Sequence, residues 1–338
     1  MSSIADEVGS RPKTVLGFPA RPAALSLIGG LAAAAAWSGV AAITALWPDR
    51  PEGDWDYTGV FAALCAAVAL AVAVAAIAGV RFSGMGRVRR AVPWLVALAL
   101  FVGAWEAITA KLGWLPLPFF PPPQAIFEVL LDDWARLAQC TIASLRLLAT
   151  GYLIGAAIGF VAGVAIGWSR HANYWIHPVL RFVGPLPATA WLPLAFFIFP
   201  TSFSASIFLI ALATGFPVTV LTWSGVAGVN SAYYDIARTL GASQRFLVLK
   251  VAVPAAMPHV FVGLFMGFGT SFAVLVVAEM LGVRAGLGWY LQWAQGWAAY
   301  ASMYAALLIM ALLCSGLMTL LFKLRDRLLS WQKGLVRW

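Results

Sequence analysis

Charge is what this chain has least of. Lys, Arg, Asp and Glu together make up 10% of its 338 residues, against about 25% in soluble domains. With 62% apolar residues and a mean hydropathy of +0.88, a soluble globular fold is excluded and the chain is integral to a membrane. Cysteine and histidine are also scarce. Cys65, Cys140 and Cys314 lie in or beside apolar segments, with no CxxC pair and no disulfide framework. His171, His177 and His259 are separated and have no acidic or cysteine neighbour at ligand spacing, so no metal site is expected. No GxxxxGK[ST] loop occurs, and the chain cannot cradle a nucleotide in the P-loop manner. Nor is there a GxSG-like loop or a nucleophile-base pair, which argues against a membrane-embedded enzyme and leaves no catalytic residue to name.

What the chain has is long apolar runs. Lipid offers the backbone no partners, so runs of this length read as helices and not as the weak ten-residue alternation of an outer-membrane barrel. The expected fold is an all-α integral membrane protein with about eight transmembrane helices. They fall near 22–47, 57–80, 91–110, 141–168, 186–199, 204–229, 258–283 and 301–322. Pro185, Pro187 and Pro193 interrupt the fifth, whose uninterrupted apolar part is short. Residues 124–140 read as one amphipathic helix lying along the membrane surface after the extended LPLPFFPPP.

Basic residues set the expected orientation. Seventeen of the 22 fall on one side if the amino terminus is cytoplasmic, whereas Arg50, Lys111, Arg136 and Arg284 fall outside and Arg146 sits at the outer end of the fourth span. This positive-inside asymmetry places both termini in the cytoplasm and makes the net charge of +9 a topological signature, not a nucleic-acid footprint. The expected organisation is a cytoplasmic segment 1–21, an extra two-helix hairpin 22–90, a core 91–322 with a cytoplasmic loop 230–257, and a basic cytoplasmic tail 323–338.

That loop is the longest stretch after residue 140 that is unsuited to lipid. Tyr234, Ala237 and Leu240 recur at helical spacing, Gly241 breaks the run, and Phe246, Leu249 and Val253 resume it before Pro254 closes the second helix. A helix-glycine-helix hairpin carrying Arg238, Arg245 and Lys250 on its polar side suits docking into a groove of another protein.

Two further patterns concern the spans. Gly151, Gly155, Gly159, Gly163 and Gly167 recur every four residues and form a smooth face for close helix packing, and Gly263 and Gly267 begin a shorter one. Glu279 is a carboxylate near the end of an apolar helix, where burial costs about 2.5–3.5 kcal/mol at mid-membrane and less toward the interface. It either lines a translocation path, with Phe272 and Phe268 on its face and Ser271 to one side, or caps or pairs locally, for example with Arg284 or Arg146.

The loop resembles the EAA motif of binding-protein-dependent ABC importer permeases. Asp235, Ile236 and Ala237 stand where E-A-A would be, Gly241 stands at the glycine, and Val251 to Pro254 match the ending. Asp keeps the charge of Glu, whereas Ile236 adds bulk. SLRLLATGY at 144–152, GPLPATAWLPL at 184–194, DIARTLGAS at 235–243, AEM at 278–280, GLG at 286–288 and the terminal LRDRLLSW extend the likeness to the nitrate/sulfonate/taurine/bicarbonate branch.

The resemblance implies a six-span type I importer core, working as a permease dimer in a bacterial-type inner membrane, with two added amino-terminal helices. Two cytoplasmic ATPase subunits would carry ATP and Mg, this chain holding no cofactor, and an extracytoplasmic binding protein would deliver a small oxyacid anion. Asp235, Ala237, Leu240, Gly241, Phe246 and Pro254 would couple the hairpin to the ATPase. A secondary transporter or channel fits the hydropathy equally well, but it predicts mid-membrane ionisable groups or inverted repeats, and neither is clear in the sequence.

Overall fold

The structure is a computed structural model that describes residues 23–50, 55–81, 86–184 and 186–332. The expected cytoplasmic segment 1–21 and the end of the basic tail lie outside these residues. Among the described residues the chain is helical throughout, with no strand. The helices are α1 (Ala23–Leu46), α2 (Thr58–Arg81), α3 (Gly86–Glu106), α4 (Pro123–Asp132), α5 (Trp134–Trp168), α6 (Arg170–Val183), α7 (Leu192–Ile198), α8 (Ser202–Ala227), α9 (Ser231–Thr239), α10 (Gln244–Phe246), α11 (Val253–Leu281), α12 (Leu287–Gly296) and α13 (Tyr300–Leu328). Seven continuous helical stretches among the described residues are long and apolar enough to cross a membrane, those of α1, α2, α3, α5, α8, α10 to α11, and α13.

The chain divides into two compact units near residue 118. In the first, α1 packs with both α2 and α3. Small residues set the register there: a Cβ on Gly30 would meet Ala76, and one on Gly103 would meet Val40. A buried polar knot closes one end of this unit. The Lys111 ammonium is fully buried and donates to Asp49 at 2.7 Å and to the carbonyls of Thr44 and Trp47, with Glu106 3.8 Å away and also fully buried.

In the second unit the glycine ridge of α5 faces α8. Cβ atoms on Gly151, Gly155, Gly159, Gly163 and Gly167 would meet Ile210, Ala211, Gly215, Thr222 and Val226 respectively. The partners ascend as the glycines ascend, so α5 and α8 run parallel. On the other side of α8, Gly263 faces Val218 and Gly267 faces Thr214, a descending register that makes α11 antiparallel to α8. α8 is thus clasped between two glycine faces, and the buried core around Leu147, Leu209, Ile210 and Leu275 lies beside this clasp.

Three expectations need correction. The fifth span is not a helix over 186–199, where the chain forms only a 3-10 turn at Ala188–Trp191 and the seven-residue α7. Parallel α5 and α8 nevertheless require the chain between them to return across the bundle, and residues 170–200 do so as a broken crossing. His177 stacks on Trp223 at 4.9 Å, Gly184 lies against Phe216, and Phe199 stacks on Phe208 at 5.1 Å, a steady antiparallel course along α8. α6 meets the segment Ala188–Ile198 at 88°.

The amphipathic helix expected over 124–140 is also divided. α4 ends at Asp132, and Trp134 opens the 35-residue α5. Asp133 leaves helical geometry at the break and accepts a 2.8 Å hydrogen bond from the Tyr290 hydroxyl, while Arg136 stacks on Trp293. These contacts hold the second half as the first turns of a spanning helix.

Finally, Pro254 does not close a helix. α10 continues through a π-helical turn, Leu247–Ala252, into α11 without a break, giving one 38-residue stretch. Proline lacks an N–H and its ring clashes with the carbonyl four residues back in a regular helix. The wider π turn before it relieves both conflicts.

Candidate functional site

The hairpin is built locally. Asn230 caps α9 by accepting from the Ala232 amide at 3.0 Å, and Ser243 caps α10. Between them Gly241 has φ +78°, with its amide donating to Arg238 and the Ala242 amide donating to Ala237. This pair of bonds is a Schellman ending, which favours glycine at the left-handed position. Nothing lies within 4 Å of where a Gly241 side chain would start, so the turn projects freely.

The chain's own contacts hold the hairpin's base and leave its tip bare. Leu247 is fully buried, and Tyr234 stacks edge-on to Trp168 beside buried Val226, Ala252 and Ala256. Burial pushes the Tyr234 phenol above its ordinary value, with the Arg238 charge opposing. Tyr233, Ile236, Leu240, Phe246 and Leu249 are all exposed, Leu240 at 83%. Asp235 makes an exposed ion pair with Arg238 at 3.3 Å, a contact that orders the helix surface and adds little stability. Ala237 is half-buried, and Pro254 lies inside the continuous helix, so neither stands at the bare tip with Leu240 and Phe246.

Glu279 is elsewhere, near the end of α11. It is 1% exposed, accepts from the Ser144 hydroxyl at 2.9 Å and from the Gly288 amide at 2.8 Å, and its bonds do not go to Arg146 or Arg284. Ser144 in turn accepts from the Leu287 amide at 2.8 Å. The first amides of α12, which has no cap of its own, are therefore capped by side chains of α5 and α11. Gly286 makes the approach possible: its φ is +127°, and a Cβ there would lie 2.3 Å from the Glu279 carboxyl carbon. Ser271 and Phe268 are buried, Phe268 against Tyr152, while Phe272 is half-buried against the same core. Sequence reasoning singled out Glu279, AEM, GLG and SLRLLATGY separately but did not join them, because Ser144 and Glu279 are 135 residues apart.

Residues 155–330 match the family of binding-protein-dependent transport system inner membrane components. The chain belongs to this family. The matched region contains the hairpin, Glu279, α12 and most of the glycine ridge, whereas Ser144, Gly151 and the whole first unit precede it. Among curated relatives of this permease-family chain is the nitrate import permease protein of Synechococcus elongatus, 28% identical over 180 residues, covering 51% of this chain and 64% of the relative. A putative ABC transporter permease of Methanocaldococcus jannaschii is 30% identical over 49% of this chain and 63% of its own. The bicarbonate transport system permease protein of Synechococcus elongatus is 35% identical over 123 residues, 36% of this chain and 44% of its own. The chain thus spans less than two thirds of the length of these relatives. Among solved structures, a chain of the MetNI methionine ABC transporter aligns with a TM-score of 0.48 at 16% identity, covering 61% of this chain and 98% of that one.

Proposed function

We propose that this chain is the permease subunit of an ATP-driven importer of a small oxyacid anion of the nitrate, bicarbonate or sulfonate type. The observation that carries this reading is the hairpin's bare apolar tip. Five large apolar side chains between Tyr233 and Leu249 are exposed on a turn whose base is fixed by buried contacts. A surface of that kind is complementary to a hydrophobic groove. Family membership supplies the class of partner, a separate ATPase that holds ATP and Mg.

In this reading two ATPase subunits each grip one hairpin, 231–254, of a permease pair, and an extracytoplasmic binding protein delivers the anion. Leu240 and Phe246 are the anchors, Gly241 makes the turn, and Asp235 orders α9 through Arg238. With Arg181 set aside because residues 170–200 cross the bundle, the distribution of Lys and Arg still supports a cytoplasmic hairpin and cytoplasmic termini. The names of the nitrate and bicarbonate relatives support the anion class.

The test is gentle purification of the tagged chain from its native membranes, with a Gly241→Arg control, followed by mass spectrometry. Recovery of a Walker-motif ATPase with the wild type and its loss in the control is the expected result. Recovery of the chain alone, with solute flux in liposomes that needs no ATP, would replace the reading with a secondary transporter.

A further inference from the structure

The broken crossing between α5 and α8 carries a charge and bare backbone where lipid tolerates neither. α8 has 26 residues, about 39 Å at 1.5 Å per residue. Phe216, which Gly184 abuts, lies eleven residues before the end of α8 at Ala227, about 17 Å in and close to its middle. The helical part of the crossing stops at this level: α6 ends at Val183, and regular structure resumes only with the 3-10 turn at Ala188. Leu186 and Pro187 in the gap are exposed. Irregular backbone at membrane depth persists only where it is buried in protein or lines a water-filled space.

Arg181 makes the same point independently. It lies four residues after His177 and three before Gly184, on the α6 face that both of those residues turn toward α8. His177 and Gly184 reach the aromatic rings of Trp223 and Phe216, and Arg181 sits between these two contacts. Its side chain is exposed. A guanidinium at this depth turns to water, to a partner or to an anion, not to acyl chains. The opposite face of α6, with Trp175, Val179 and Phe182 exposed, is the one suited to lipid.

We propose that Arg181, Gly184, Leu186 and Pro187 and the facing side of α8, with Phe216, Val220 and Trp223, form the wall of a water-filled path, and that Arg181 contacts a small oxyanion in it. The inference rests on the importer reading for the identity of the anion, and on geometry alone for the water-lined wall. Arg181 supplies a fixed, planar set of donors matched to the oxygens of nitrate or bicarbonate. An anionic lipid headgroup reached by snorkelling would offer the same oxygen chemistry, and the test separates the two.

Arg181→Cys, Leu186→Cys and Val179→Cys are compared in native membranes for labelling by a charged, water-soluble thiosulfonate. Cys65 and Cys140 are buried, and a parallel wild-type sample measures any background from Cys314. The expected result is fast labelling at 181 and 186, none at 179, and slowing at 181 by millimolar nitrate or bicarbonate. Labelling at 181 no faster than at 179 would overturn the path. Labelling at 181 that ignores both anions but slows as the anionic lipid content of reconstituted vesicles rises would overturn the oxyanion contact in favour of a headgroup.

ATP-driven uptake of nitrate and of bicarbonate by the reconstituted complex is the second arm. Arg181→Gln is expected to raise KM about tenfold or more, with partial rescue by Arg181→Lys. An unchanged KM in Arg181→Gln would overturn the contact. Failure of the wild type to transport either anion would instead count against the importer reading, and the labelling pattern would still decide whether the wall faces water.

Discussion

Replacing Gly155 by alanine tests the clasp around α8 with a single carbon. A Cβ at Gly155 would lie 2.4 Å from the Ala211 carbonyl oxygen and 2.8 Å from its Cα. Both atoms belong to the α8 backbone, so no rotamer change can make room. Relief to an ordinary contact near 3.4 Å requires the helices to separate by about 1 Å, and a radial gap of about 0.5–1 Å already forfeits a quarter to a half of each dispersion contact along the seam. The expected cost is that of overpacking, about 1–3 kcal/mol. At about 2–4 °C per kcal/mol, the Tm followed by scanning fluorimetry in detergent should fall by roughly 2–12 °C. Two controls grade the effect. Gly215→Ala meets the Gly155 carbonyl only at 3.3 Å and should cost less, while Gly269→Ala meets nothing within 4 Å and should be neutral. Equal Tm values for Gly155→Ala and Gly269→Ala would refute the reasoning, because the order follows from the distances alone.

Other substitutions separate stability from coupling. Gly241→Arg strains the left-handed turn by about 1–2 kcal/mol but meets no neighbour, so the chain should still fold, checked by Tm, while ATPase co-purification is lost. Glu279→Leu leaves the Gly288 amide and the Ser144 hydroxyl without their acceptor and should cost about 1–3 kcal/mol; Glu279→Gln keeps an acceptor oxygen and should lie closer to wild type in the same melting assay. Lys111→Met strands buried Glu106 and half-buried Asp49 and should cost about 3–5 kcal/mol, seen as loss of folded protein in size-exclusion profiles. Burial pushes the Tyr290 phenol up to about 12 from 10.0. Its contribution is therefore complete below pH 10 and lost as pH rises through 12, and the stability advantage of wild type over Tyr290→Phe should shrink across that window.

Hydropathy made most of the spanning helices legible, because an apolar run that must satisfy its own backbone has one solution in lipid. The glycine repeat in α5 was equally plain, since a four-residue period is a property of one helix. Its partner was not: which helix meets Gly155 depends on Ala211, 56 positions away, and on a parallel register that no local pattern encodes. The broken crossing is hidden for a related reason. Arg170, His171, His177 and Arg181 give residues 170–183 the pattern of a solvated connection, and the uninterrupted apolar residues lie after Pro185. Prolines misled in the opposite direction at Pro254, where a helix end was expected and a π turn carries the helix on. In the candidate site, the cap on α9 and the turn at Gly241 were local and visible, whereas the Glu279 acceptor set combines three helices and required the fold.

The continuity through Pro254 bears on how the hairpin can act. Gln244–Leu281 is one helical stretch of 38 residues, about 57 Å long, with Phe246 exposed near one end and Glu279 buried near the other. A flexible joint at Pro254 would absorb a displacement of the hairpin within the loop. A continuous helix transmits it instead, and along its course α11 faces α8 through Gly263 and Gly267, where small residues present little relief to obstruct sliding. At the far end Glu279 accepts from the Gly288 amide of α12 while Ser144 of α5 accepts from Leu287, so α12 must follow α11 or lose that half of its cap. On the proposed coupling, the π turn is therefore the element to perturb. Inserting one alanine within Leu247–Ala252 would rotate the hairpin about 100° relative to α11, whereas a one-residue deletion would be absorbed as the π turn reverts to α-helix. ATPase binding should survive the insertion because Leu240 and Phe246 stay exposed, while anion uptake per ATP should fall sharply, and undiminished coupling in the insertion variant would show that α11 does not act as a lever.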